Sequence, residues 1–146
     1  MKKILLSLCL LLTLSYGETI TIKNGKVKSL DIHNIPTKDI VKFSIFEPYE
    51  GKKRTFEGIS LKNFATLYGK NPSKITITAI DYFESKFDSK DINNEKWIFV
   101  FKQDGKYITP KEKGPARIID KTFQLKDKKL TLFDQWVWMI EEVEFK

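Results

Sequence analysis

Chemistry needs side chains that ionise, attack or ligate, and this 146-residue chain supplies few of them in useful sets. His33 is its only histidine and Cys9 its only cysteine. A zinc site built on several imidazoles is therefore excluded, and a serine triad on His33 lacks the G-x-S-x-G setting that exposes a nucleophile. The 19 acidic side chains show no spacing that singles out a glycosidase pair. Walker and dinucleotide phosphate loops are missing too. Two short constellations remain. Asp81-Tyr82 closes an alternating apolar stretch, and Gly114-Pro115-Ala116-Arg117 places one of only two arginines beside a sharp loop. A guanidinium there can pair with an anionic ligand or with a carboxylate of the chain. Asp81 can orient a ligand or hydrogen-bond its own backbone turn.

Charge narrows the classes of partner. Met1-Lys2-Lys3 is a basic start, Ile4 to Leu14 is an apolar run, and Ser15-Tyr16-Gly17 puts small residues at the −3 and −1 positions of a cleavage site. Residues 1–17 read as a signal peptide, too short for a membrane span, so a periplasmic or otherwise exported chain from Glu18 is expected. Its loss removes Cys9, Lys2 and Lys3 and leaves 24 basic against 19 acidic side chains. No disulfide can form within what remains. The lysines are scattered evenly and the only arginines are Arg54 and Arg117, which argues against nucleic acid, where bidentate arginine contacts carry recognition.

These residues need elements to position them. Ile20 and Ile22 alternate ahead of Asn24-Gly25, and Val27, Leu30 and Ile32 follow, the pattern of an N-terminal hairpin. Val41, Phe43 and Ile45 share one face of an extended stretch from Ile40 to Glu47, and Pro48 to Gly51 turns the chain into Lys53 to Gly58. Ser60 then caps a helix whose stripe is Leu61, Phe64, Ala65, Leu67 and Tyr68, with Gly69 in place for a left-handed C-terminal cap. Lys74 to Phe83 reads as a strand and Ser89 to Asn93 as a short helix or turn. Trp97 to Lys102 is apolar on both faces, as a central strand is, and Asp104-Gly105 turns it into Lys106 to Thr109. Ala116 to Asp120, Leu130 to Phe133 and an apolar run from Trp136, with Trp138 on the same side of a strand, complete an α+β domain without repeats or linkers.

RTFEGISLKNFATLYG, ITITAIDYFES, WIFVFKQDGKYI, KGPARII and WVWMIEEVEF, in this order, resemble the sulfite-oxidase-like, molybdopterin-binding oxidoreductase domain. The resemblance spans about Lys42 to Phe145. It rests on Ala79, Asp81 and Tyr82, on Asp104, Gly105 and Lys106, on Gly114, Pro115 and Arg117, and on Trp136 and Trp138. It implies a mixed β-sheet domain with few helices and a pocket near Asp81, Tyr82, Gly114, Pro115 and Arg117. Members that catalyse hold molybdenum through a cysteine thiolate, a soft ligand suited to oxo transfer. The chain from Glu18 has no cysteine, and Asp81 is followed directly by Tyr82 where the family has a glycine between them. The resemblance therefore implies a non-catalytic binding or accessory module with no cofactor and a small anionic ligand or a periplasmic protein as partner. A molybdopterin-dependent oxidoreductase and a purely structural protein-interaction domain are the alternatives.

Overall fold

Alternating apolar residues on either side of Asn24-Gly25 fold back on each other. The structure, a computed structural model, describes residues 19–124, 126 and 135–146; the expected leader over 1–17 and the segment Leu130 to Phe133 lie outside them. Strand β1 (Thr19–Lys23) pairs antiparallel with β2 (Val27–Asp31), and Gly25 turns the corner at φ +68°, a conformation open to a residue without a Cβ. β3 (Val41–Glu47) and β4 (Lys52–Ser60) form a second hairpin. β4 runs directly into α1 (Leu61–Gly69), whose first turn is closed by the Ser60 hydroxyl accepting the Asn63 N–H at 3.1 Å.

Gly69 is not the left-handed cap. It is still helical, and the residue that leaves the helix at φ 53° is Lys70. Glycine is required at 69 for space, because a Cβ there would enter the ring of Phe145. The next strand is also shorter than its pattern suggests. β5 (Lys74–Ala79) stops before Ile80, the chain reverses through Asp81 and Tyr82, and it returns as β6 (Glu84–Asp88). In β6 the inward positions are Ser85 and Phe87, so its single large apolar residue left almost no alternation to read. α2 (Ser89–Asn93) follows, with Asp88 and Asp91 each accepting the other's backbone N–H.

β7 (Trp97–Gln103) is buried along nearly its whole length, as an apolar run on both faces requires. Asp104 and Gly105, both at positive φ, turn it into the two-residue β8 (Lys106–Tyr107). β9 (Arg117–Asp120) pairs with the other end of β7, and β10 (Ile140–Phe145) closes the domain. Trp136 and Trp138 precede β10 in irregular backbone instead of sharing a strand face: Trp136 is buried and Trp138 half-buried.

Two five-stranded sheets result. One has the order β2-β1-β10-β5-β6, with β1 and β10 parallel and the remaining pairs antiparallel. The other has the order β3-β4-β7-β8, with β9 also on β7. Phe64 of α1 joins them, stacking on Phe99 of β7 at 4.2 Å and meeting Phe145 of β10 at 5.9 Å. Burying a side chain of this size contributes about 1.5–3 kcal/mol. The α+β architecture expected from the sequence is observed. Among the described residues no helix is long and apolar enough to cross a membrane.

Candidate functional site

The segment ahead of β10 bridges the backbones of the two stretches that the sequence singled out. Its backbone lies between two others: Met139 N–H donates to the Lys113 carbonyl at 2.8 Å, Ile140 N–H to Ala116 at 3.3 Å, and the Met139 carbonyl accepts Ile80 N–H at 2.9 Å. The turn after β5 and the Gly114-Pro115 loop are thereby brought to one place. Between them lies a cavity of about 260 Å³, lined by Ile80, Pro110, Gly114, Pro115 and Met139 among others.

The five sequence-predicted residues divide into separate environments. Asp81 Oδ1 accepts the Phe83 N–H at 3.1 Å, a local turn bond that accounts for an aspartate at this position. Tyr82 stands at φ 68° on the tip of the turn and is 85% exposed, flanked by the exposed side chains of Ile80 and Phe83. Gly114 and Pro115 are buried and joined by a cis peptide bond. A Cβ at Gly114 would strike the carbonyl oxygen of Ile108, so the loop packs too closely for any other residue.

Arg117 turns away from this cavity into the core. It is 1% exposed, its guanidinium lies 5.5 Å from the Phe56 ring, and its Nη2 donates to Glu47 Oε1 at 3.0 Å. Glu47 is fully buried, and its second oxygen accepts the Glu50 N–H at 2.6 Å, closing the turn after β3. Of the two roles the sequence left open for Arg117, the internal carboxylate is the one occupied. Arg117 Nε and Nη1 have no hydrogen-bond partner among the described residues.

Sequence reading named Trp138 but gave no role to Lys113 or Tyr49, which lie around this pair. Lys113 holds its ammonium 4.4 Å from the Tyr49 ring and 4.5 Å from the Trp138 ring, and the two rings meet edge to face at 4.6 Å. Burial, with the like charge of Arg117 added, lowers the Lys113 pKa below its ordinary value. Burial and the Glu47 carboxylate raise the Tyr49 phenol above its own. Glu47 was legible in principle: it falls two residues after Ile45, on the same inward face as Val41, Phe43 and Ile45. The Lys113 bracket had no comparable signal, since its three members come from separate loops.

No family model matches the sequence, and no curated protein does. Among solved structures, the chain is similar to a chain of the sulfane dehydrogenase SoxCD from Paracoccus pantotrophus, with a TM-score of 0.62 at 9% identity. The two share a fold. The likeness covers 87% of this chain but only 37% of the SoxCD chain, so it carries architecture and not activity.

The donor set decides whether a molybdenum cofactor suits these residues. The metal of the family that the sequence resembles takes a soft, anionic sulfur. The groups gathered here are a carboxylate, a guanidinium, an ammonium and a phenol, and the guanidinium is already paired with the carboxylate. Among the described residues no three His, Cys, Asp or Glu side chains are grouped to hold a metal ion. None of these groups is a sulfur ligand of the kind that metal takes.

Proposed function

We propose that this chain is an exported, non-catalytic binding module on a sulfite-oxidase-like fold, and that its partner is a protein. The observation that carries this reading is the Glu47–Arg117 pair: the one arginine near the Gly114-Pro115 loop is neutralised inside the core at 3.0 Å. An anion arriving from solvent would have to displace a buried carboxylate, whose loss leaves a buried charge uncompensated. What the same region offers to solvent is different in kind. Ile80, Tyr82 and Phe83 project from one turn beside the 260 Å³ cavity, and a tyrosine flanked by apolar side chains suits the centre of a protein interface.

The test is to isolate the chain from its own cell under mild conditions and combine native mass spectrometry with elemental analysis. The expected result is a complex with a second protein, free of stoichiometric molybdenum, that dissociates in Tyr82→Ser while the fold is unchanged. Stoichiometric molybdenum with a pterin mass overturns the reading in favour of an oxidoreductase. A bound small anion lost in Arg117→Met overturns it in favour of a small-ligand site, the reading that the two unpartnered Arg117 nitrogens support.

A further inference from the structure

A second cavity, of about 550 Å³, lies at the C-terminal end of α1, between the helix and the β1–β2 hairpin. Its volume falls in the range of small-molecule sites, roughly 300–1,000 Å³. Its apolar wall is Ile22, Leu30, Leu67 and Tyr68. Lys26, Lys28 and Lys70 line it as well, together with the neutral Asn24, Gly25 and Ser29, and no Asp or Glu does.

The placement of these lysines departs from simple surface solvation. Residues 28 and 30 occupy the same face of the second hairpin strand, since alternate residues point the same way, and Lys26 stands in the turn just before that strand. Leu30 on that face is buried against the core, opposite Ile20. Two residues on, where Ile22 is still buried opposite, the position holds Lys28. The inward face of the hairpin thus changes from leucine to lysine along the cavity. Lys70 comes from the other side, at the left-handed exit of α1. None of the three makes an ion pair among the described residues.

The C-terminus of α1 also faces this region, and its partial negative charge of roughly half a unit opposes an anion. Three ammonium groups outweigh it. The Tyr68 carbonyl is moreover already engaged, accepting Asn24 Nδ2 at 3.2 Å, which ties the hairpin turn to the helix end and holds the cavity walls together.

We infer that this cavity binds a small amphiphilic carboxylate, its alkyl or aromatic body against Leu67 and Tyr68 and its anionic head among Lys26, Lys28 and Lys70. The site is separate from the Ile80–Phe83 turn and stands whether or not a protein docks there.

The experiment titrates the isotopically labelled full chain with octanoate and follows its amide resonances. The expected result is a saturable shift confined to residues 22–30 and 67–70. The charge-removing variant Lys26→Gln/Lys28→Gln/Lys70→Gln should weaken binding about tenfold or more, as the loss of three partly exposed ion pairs implies. Octanol, which keeps the apolar body and lacks the charge, should bind the parent chain at least about tenfold more weakly by the same reasoning. Because all three lysines are on the surface, the variant is expected to keep the parent's spectrum elsewhere. Shifts centred on Ile80 or Gly114, a titration that does not saturate, or equal binding by parent and triple variant would overturn the assignment.

Discussion

Replacing Glu47 by Gln leaves the shape of its side chain almost unchanged and removes only its charge. Arg117, 1% exposed, would then stand in the core with no counter-ion. Two unit charges about 4 Å apart at an effective dielectric constant near 20 attract by about 4 kcal/mol, and breaking one partner of a buried pair costs about 3–5 kcal/mol. For a domain of this size such a loss corresponds to a fall of about 10–15 °C in Tm. Urea unfolding followed by tryptophan fluorescence measures it, since Trp97 and Trp136 are both buried. Arg117→Met breaks the same pair from the other side and should also destabilise the chain. The double variant Glu47→Gln/Arg117→Met carries no buried charge, keeps an acceptor for the Glu50 N–H, and should return to within about 1 kcal/mol of the parent. The coupling energy of the cycle would then be large and of the sign that marks an internal pair. A Glu47→Gln variant within about 1 kcal/mol of the parent would refute this reasoning, since that is what a solvated pair contributes. So would a double variant as unstable as the worse single one.

Two further outcomes follow from packing and from proton linkage. Gly69→Ala gains about 1 kcal/mol of helix propensity but drives a methyl into the Phe145 ring, a clash that costs about 1–3 kcal/mol; the variant should be destabilised in thermal unfolding, and a rise in Tm would show that the ring can move aside. The Tyr49 phenol is raised above its ordinary value of 10.0, chiefly by burial and then by the Glu47 charge, so the native state keeps a proton that the unfolded chain has released. Its contribution to stability is present below pH 10 and is lost as pH rises through the native value. Lys113 acts in the opposite sense: its lowered pKa means that the native state gains stability as pH approaches 10.5 from below. Urea midpoints from about pH 9 to pH 11 should therefore fall less steeply in Tyr49→Phe than in the parent, with Lys113 common to both, and equal slopes would rule the phenol out as the titrating group.

The sequence by itself determined the local elements wherever one residue pattern sufficed. The first hairpin, the Ser60-capped helix and the Trp97–Gln103 strand follow from Asn24-Gly25, from apolar spacing and from an apolar run on both faces, and each is observed. The motif residues were legible in the same way, including the two roles open to Asp81 and Arg117. The pattern gave out where spacing alone does not report space: Gly69 answers to the Phe145 ring, 76 residues away in the chain, and β6 is held by pairing with β5 more than by its own residues. Tertiary structure alone decided which of two roles Arg117 plays, because its carboxylate comes from β3, 70 positions earlier. It also decided that Lys113 meets Tyr49 and Trp138, and that the hairpin lysines face a cavity. Periodicity assigns a side chain to a face, whereas a partner across the core is chosen by how two sheets and a helix pack together.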